Sequence, residues 1–242
     1  MFNVRFTGIP RVQEVPIEIN SLGVDALAAA DELWIEAQAK QPSVLSDGTI
    51  FNVIGLDGPT IRGHFVAYKV FFAQRRQPEL FPSLRVRPLA VTGLSHCAGG
   101  IVFGRRSDHV AQDPGLWEFA PAGGVDSSSR GHDGVVDFGH QLAREFTEET
   151  GLPSELISEV RPWCVVEDSS SEVFDIVAHL FLNESAQEIE RGLAVVHNDE
   201  YQEFKVVKGA DIGNFLEAQL DQVAPLTQYL IRDLGLPAET WG

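Results

Sequence analysis

Cysteine and long apolar runs are both scarce in this 242-residue chain. Cys97 and Cys164 are its two cysteines, too few for a disulfide framework, so we expect both to be reduced. No window approaches the roughly 18 uninterrupted apolar residues of a transmembrane helix. Residues 1–5 also lack the basic and then apolar profile of a signal peptide. These absences predict a soluble, cytoplasmic protein.

Positive charge is scarce as well. Lysine and arginine number 18 against 35 acidic residues, which gives a formal net charge of −17. Basic patches supply most of the affinity of proteins for nucleic acid polymers and anionic membranes, and we therefore expect neither partner. A small phosphorylated ligand remains compatible, if metal ions and local arginines reverse the sign of the field at its site.

The hydrophobic content of 44% is that of an ordinary folded globule. Three prolines between residues 77 and 88 mark a junction, and we place a domain boundary near residue 86, which separates residues 1–86 from residues 87–242. In the first part we predict an extended stretch over 1–20, a helix over 24–39, a turn at 46–48 and a hairpin of strands 49–56 and 60–67. Residues 68–75 are apolar, and their pattern does not decide between helix and strand.

After residue 88 the pattern alternates between strands and helices. We predict strands over 89–96, 100–105, 115–120, 160–167, 173–182 and 201–207, with helices over 137–150, 209–220 and 223–234. This order favours an α/β (α+β) fold, in which a mixed sheet carries helices on both faces.

The helix predicted over 137–150 has the most informative pattern. Gly151 follows it as a C-terminal cap, and Leu142, Phe146 and Thr150 fall along one core-facing line. Three carboxylates occupy a neighbouring sector, with an arginine at its edge: Glu145, Glu148, Glu149 and Arg144. Carboxylates this close repel one another. Their hard oxygen ligands suit Mg²⁺ or Mn²⁺, although an acidic run can also be a solvated helix face.

The context of these glutamates resembles a known motif. Residues 117–126 read as a strand that enters a glycine loop, and residues 144–152 read Arg-Glu-Phe-Thr-Glu-Glu-Thr-Gly-Leu. Together they resemble the Nudix box, Gly-x5-Glu-x7-Arg-Glu-U-x-Glu-Glu-x-Gly-U, where U is a bulky apolar residue. The second half matches at every fixed position. The strand over 101–106 also resembles the one that commonly precedes the box.

The first half of the box departs from the family pattern. Nineteen residues separate Gly124 from Arg144, six more than the pattern has, and Val136 stands where the pattern has glutamate. Asp133 and Asp137 are nearby acidic residues out of register. The residues around 127–134 are small, polar and rich in glycine, which predicts an inserted loop.

The Nudix resemblance implies an αβα sandwich with a mixed sheet, here with a smaller N-terminal α+β segment. It also implies a Mg²⁺-dependent hydrolase, with Mn²⁺ as an alternative ion. By this resemblance Glu145, Glu148, Glu149 and the carbonyl of Gly123 hold the metal, and Arg144 orients the carboxylates. The first choice for the general base is Glu145, and the downstream candidates are Glu200 and Glu203. Gly124, Arg105 and Arg106 are candidates for binding substrate phosphate, although the two arginines also fit the polar end of a strand.

The first 86 residues resemble, more loosely, the N-terminal extension of some Nudix hydrolases of nucleotide sugars. The likeness rests on Trp34 and on Leu45-Ser46-Asp47-Gly48-Thr49 before a strand. It implies a nucleotide sugar of the UDP-glucose or ADP-ribose type as substrate. Nucleoside triphosphates and dinucleoside polyphosphates remain open, as does a homodimer. The alternative is a non-catalytic Nudix-fold module that senses a nucleotide, but such modules usually lose box carboxylates. A serine hydrolase is disfavoured because residues 93–97 lack the closing glycine of a nucleophile elbow.

Overall fold

The computed structural model describes residues 1–16, 23–40, 48–110, 112–196 and 198–236. Its twelve strands among these residues are β1 (Phe2–Thr7), β2 (Arg11–Glu14), β3 (Thr49–Asp57), β4 (Thr60–Ala67), β5 (Leu89–Ala98), β6 (Gly100–Arg106), β7 (Trp117–Phe119), β8 (Ala122–Gly124), β9 (Val135–Val136), β10 (Ile157–Asp168), β11 (Val173–Ser185) and β12 (Tyr201–Val207). Its helices there are α1 (Val24–Lys40), α2 (Tyr68–Arg76), α3 (Phe81–Leu84), α4 (Phe138–Thr150), α5 (Ala186–Leu193), α6 (Ile212–Gln219) and α7 (Pro225–Tyr229). None of these helices is long and apolar enough to cross a membrane.

An eight-stranded mixed sheet forms the centre of the molecule. Its strand order is β1-β10-β11-β5-β6-β12, with β7 beside β6 and β8 beside β5. β11 and β5 run parallel, and the other pairs are antiparallel. Successive side chains of a strand point to opposite faces, and the two faces are covered by different helices. Leu142 of α4 and Ile189 of α5 belong to one core cluster, and Phe215 of α6 belongs to the other. The predicted αβα sandwich with a mixed sheet is confirmed.

A second, four-stranded sheet in the order β3-β4-β2-β9 packs beside the first. α1 and α2 cover it through a small cluster that includes Ala26, Val66 and Val70, which confirms the smaller N-terminal α+β segment. Strands on either side of residue 86 pair with each other: β1 with β10, and β2 with β9. The division of the chain at that residue stays a prediction.

Most predicted elements are present with shifted ends. The hairpin, the helix at 24–40 and the strand at 201–207 agree closely with the sequence patterns. The stretch left undecided at 68–75 is helical. Part of the extended stretch, residues 17–20, and part of the turn, residues 46 and 47, lie outside the described residues. The final helix predicted over 223–234 is present from Pro225, as α7 followed directly by a π-helical turn, Leu230–Leu234.

The segment after β11, expected to be only a polar link, contains the helix α5. Ser185 accepts a hydrogen bond from the backbone N–H of Glu188, whose side chain accepts one in return from the backbone of Ser185. This reciprocal arrangement satisfies two backbone donors at the helix start. Ile189 and Leu193, four residues apart, are buried against the sheet and hold the helix in place.

Candidate active site

The helix α4 is fixed at both ends and along one face. Asp137 caps its first turn by accepting a hydrogen bond from the backbone N–H of His140 at 3.0 Å. Gly151 ends it with a φ of 65°, in the left-handed region where glycine carries no steric penalty. Leu142, Phe146 and Thr150 are fully buried, as the helical periodicity predicts. Because this face packs in the core, the rotation of the helix about its axis is fixed, and so are the directions in which the three glutamate side chains point.

The glutamates differ in their exposure. Glu149 is only 6% exposed, and its Oε2 accepts a hydrogen bond from the backbone N–H of Ala122 at 3.0 Å. Glu145 lies against the glycine loop, where a Cβ on Gly123 would lie 2.5 Å from its carboxyl carbon. The side chain of Glu148 is 58% exposed. The helix therefore presents two sheltered carboxylates and one that faces solvent.

Arg144 is the cationic neighbour of these carboxylates. One of its terminal nitrogens donates to Asp126 and lies 3.2 Å from Glu145. Its Nε lies 3.8 Å from Glu148, so the pair expected from the i, i+4 spacing is present. The close contact with Asp126, in the loop after β8, was not predicted. Arg144 therefore links the box helix to the glycine loop as well as to its own glutamates.

Burial and mutual repulsion oppose ionisation of these acids. The pKa of Glu149 is raised well above its usual range, first by burial and then by the charge of Glu145, with further contributions from Glu118 and Glu200. Burial also raises the pKa of Glu145. A bound cation would favour the ionised forms of both groups.

A cavity of about 410 Å³ opens beside the glutamates. Its lining includes Gly123, Gly124, Glu145 and Glu149. Of the residues that the structure describes, six acidic ones line it: Asp113, Glu118, Glu145, Glu149, Asp175 and Glu200. Among its described lining residues, Arg106 is the one lysine or arginine. An anionic ligand can enter such a cavity only together with further positive charge.

The donors around this cavity fit a divalent metal ion. They are carboxylate oxygens, the ligands preferred by Mg²⁺ and Mn²⁺, and the backbone of Gly123 approaches one of them without an intervening side chain. Within the described ranges, no three histidine, cysteine, aspartate or glutamate side chains are drawn together as a complete coordination group. The acidic residues thus supply the kind of atom that such an ion prefers.

Arg106 is held within a network of hydrogen bonds. Its terminal nitrogens donate to Glu118 at 2.6 Å and to Glu200 at 2.8 Å, and its Nε donates to the carbonyl of Gln112 at 2.8 Å. The hydroxyl of Tyr201 also donates to Glu118, at 2.7 Å. Burial is the largest influence on the pKa of Glu118 and raises it, while Arg106 and the hydrogen bond from Tyr201 act in the opposite direction. The network fixes Arg106 and Glu200 beside the cavity.

The two remaining candidates, Arg105 and Glu203, lie apart from Arg106 and Glu200. Arg105 donates from Nε to the carbonyl of Gly115 and lies 4.0 Å from Glu203. Neither residue belongs to the described lining of the cavity. Because side chains alternate along a strand, Arg105 and Arg106 point in different directions from β6. The structure brings Arg106 and Glu200 to the cavity and leaves Arg105 and Glu203 as an ion pair outside it.

Several residues of the cavity were not found from the sequence. Glu118 is an acidic residue in a short strand between Trp117 and Phe119, and a charge in that position is a usable signal. Asp175 is likewise the one charged residue in an apolar run of β11. Thr92 donates a hydrogen bond to it at 2.7 Å. Tyr68 and Phe71, which also line the cavity, come from the helix α2, which the pattern left undecided.

Comparison with known proteins finds similarity to solved structures. No family model and no curated protein matches the sequence. A protein from Deinococcus radiodurans is 15% identical over 60% of this chain and 82% of its own, with a TM-score of 0.44. A NUDIX hydrolase from Nitrosomonas europaea is 16% identical over 81% of this chain and 93% of its own, with a TM-score of 0.37.

A bifunctional NMN adenylyltransferase/ADP ribose pyrophosphatase from Francisella tularensis, complexed with AMP and a manganese ion, is also similar. It is 15% identical over 61% of this chain, with a TM-score of 0.42, and the match spans 41% of its own length. Identities and scores this low carry no conclusion about activity. The resemblance of this chain to the Nudix family therefore rests on its own residues: the second half of the Nudix box lies on a glycine-capped helix, beside a glycine loop, within an αβα sandwich.

Proposed function

We propose that this protein is a Nudix hydrolase that cleaves the diphosphate linkage of a nucleoside diphosphate joined to another group. The observation that carries the proposal is the pair of sheltered carboxylates, Glu145 and Glu149, at a cavity whose lining is strongly acidic. The negative charges of a diphosphate and of this lining repel each other. Its hydrolysis there requires a cation that both residues and substrate can share.

The metal in this proposal is Mg²⁺, with Mn²⁺ as a substitute. Glu145, Glu148, Glu149 and the backbone carbonyl of Gly123 would hold it. When bound, such an ion neutralises phosphate oxygens and lowers the pKa of a bound water. Arg144, paired with Asp126 and Glu145, would keep the carboxylates oriented.

Three glutamates are candidates for accepting the proton of the attacking water. Glu145 is the first choice, because it lies in the cavity against the glycine loop. Glu200 is the second, since it lines the same cavity and is held by Arg106. Glu203 is less favoured because it pairs with Arg105 away from the described lining. Arg106, which lines the cavity as Gly124 does, is the better placed of the two arginines to contact a phosphate.

A nucleotide sugar, of the UDP-glucose or ADP-ribose type, is the proposed substrate. The cavity volume of about 410 Å³ lies within the range of small-molecule sites. The N-terminal segment adds the aromatic side chains of Tyr68 and Phe71, against which a base can pack. Asp175 and Thr92 add polar groups that can select hydroxyl or N–H donors. The protein would act in the cytoplasm on this small ligand, without nucleic acid polymers or membranes, and a homodimer is compatible with the proposal.

A non-catalytic nucleotide sensor is the alternative. The missing glutamate at Val136 favours it, whereas the retention of Glu145, Glu148 and Glu149 favours the enzyme. Incubation of the purified protein with Mg²⁺ and a panel of nucleotide sugars separates the two. The enzyme should release a nucleoside monophosphate, and Glu149→Gln should abolish release while the exposed Glu155→Gln, on the turn after the box, should not. Tight binding of a nucleotide with no turnover of any diphosphate would favour the sensor.

A further inference from the structure

Gln141 is a fully buried side chain on α4, one turn before Glu145. Its Oε1 accepts a hydrogen bond from the hydroxyl of Ser129 and another from the backbone N–H of Asp126 at 3.3 Å. Its Nε2 donates to Oε1 of Glu145 at 2.5 Å. Because a backbone N–H can only donate, its contact assigns the oxygen of Gln141 to the loop and the nitrogen to the glutamate. The side chain thus joins the loop to a carboxylate of the box.

Glu145 has few other restraints. The backbone of Gly123 lies against one side of its carboxyl group, and Arg144 approaches within 3.2 Å. Arg144 is shared with Asp126 and Glu148, so it does not by itself select one rotamer of Glu145. The hydrogen bond from the buried amide of Gln141 supplies that selection.

The loop at the other end of Gln141 is itself anchored. The hydroxyl groups of Thr49 and Ser127 lie 2.8 Å apart, and Arg130 forms two hydrogen bonds with Glu14, at 2.7 and 2.8 Å. Both partners belong to the N-terminal segment. The N-terminal segment therefore fixes the position of the loop to which Gln141 is bonded.

This arrangement coincides with the position where the chain departs from the Nudix pattern. Val136, in place of the first glutamate of the box, pairs with Val12 and is buried in the core. A carboxylate in its place would be buried there without a partner, at a large cost. Val136 therefore makes no polar contact between the lengthened loop and the box helix, whereas Gln141 does.

We propose that Gln141 is a positioning residue for Glu145, which it ties to the loop that the N-terminal segment anchors. The proposal rests on the proposed function, since Glu145 is there a metal ligand and the first choice for the base. Groups that orient a metal ligand typically contribute about 10–100-fold to metal affinity or activity. Gln141 touches neither metal nor substrate in this account and acts only through Glu145.

The test compares two buried glutamines. Gln141→Leu removes the link to Glu145. Gln74→Leu is the matched control, because the Gln74 amide is also buried but bonds to the backbone of Val86, at 2.7 and 2.9 Å, and not to an acidic residue among those described. Both variants should lose thermal stability. Mn²⁺ affinity, measured by titration calorimetry without substrate, and kcat with a nucleotide sugar should fall about 10–100-fold in Gln141→Leu alone, with little change in KM.

Two further variants keep the proposal testable if Gln141→Leu does not fold. Ser129→Ala removes one hydrogen bond from Gln141 and should lower Mn²⁺ affinity less than Gln141→Leu. In a Glu145→Gln background, Ser129→Ala should cause no further loss. Mn²⁺ affinity and kcat that match the wild type in Gln141→Leu, or in Ser129→Ala if Gln141→Leu does not fold, would overturn the positioning role. A wild type that binds Mn²⁺ but cleaves nothing would overturn the proposed function, while the affinities would still decide the role of Gln141.

Discussion

Gly123 and Glu145 are in such close contact that a methyl group on the glycine would lie 2.5 Å from the carboxyl carbon of the glutamate. This is well inside van der Waals contact. Gly123→Ala should therefore push Glu145 out of its position and lower metal affinity and kcat by at least about tenfold. Thermal stability and Mn²⁺ titration together would separate displacement from unfolding.

Two other glycines provide controls for Gly123→Ala. Gly124→Ala meets no atom within 4 Å and should cost less than Gly123→Ala, although Gly124 lines the cavity. Gly213→Ala, in α6 and also free of contacts, should leave metal binding unchanged. Equal losses in all three variants would show that the closeness of Gly123 to Glu145 is not what matters.

Asp175 should make stability depend on pH. Burial raises its pKa to about 6 from a usual value of 3.8, so the folded state holds this proton more tightly than the unfolded chain. The stabilising contribution is complete below pH 3.8 and is lost as the pH rises to about 6, a change of about 3 kcal/mol.

Asp175→Asn removes that titration. Urea unfolding at pH 4 and pH 7 should show that the variant gains stability relative to the wild type as the pH rises, by up to about 3 kcal/mol. The variant should also have a higher KM for a nucleotide sugar, since the carboxylate acceptor is lost. Stability curves that stay parallel across this pH range would contradict a proton-holding Asp175.

Tyr201→Phe should destabilise the fold through Glu118. The tyrosine hydroxyl donates to this carboxylate at 2.7 Å, and hydrogen bonds to charged groups contribute about 1.5–3 kcal/mol. Denaturant unfolding at neutral pH should show a loss of that size. Tyr229→Phe is the control, because the ring of Tyr229 stacks on Phe2 at 5.3 Å and its hydroxyl makes no hydrogen bond within the described residues. A similar loss in both variants would mean that the bond to Glu118 contributes nothing particular.

Local signals in the sequence account for the box helix. The cap at Gly151, the buried line through Leu142 and Phe146, and the spacing of Glu145 and Glu149 all follow from helical geometry. The same is true of the hairpin, whose turn at residues 58 and 59 separates two apolar runs. The capping box at Ser185 and Glu188 was an equally local signal and was overlooked.

The surroundings of the helix could not be predicted in the same way. Glu118 is sheltered because Arg106 and Tyr201 contact it from two other strands, and no local pattern encodes such a contact. Gln141 is a polar residue at a buried position. The reason for this is its hydrogen bonds to Ser129 and Asp126 of the loop, which the sequence does not reveal. Tyr68 and Phe71 enter the cavity because the two sheets pack together, which is a tertiary property.

We propose that the acidic residues of α4 form a site for divalent ions. Calorimetric titration of Mn²⁺ and Mg²⁺ into the protein at neutral pH, with and without a nucleotide sugar, measures this directly. We predict saturable binding by the wild type and by Glu155→Gln, and affinity at least about tenfold weaker in Glu149→Gln. A wild type that binds neither ion, even with a nucleotide sugar present, would contradict the account.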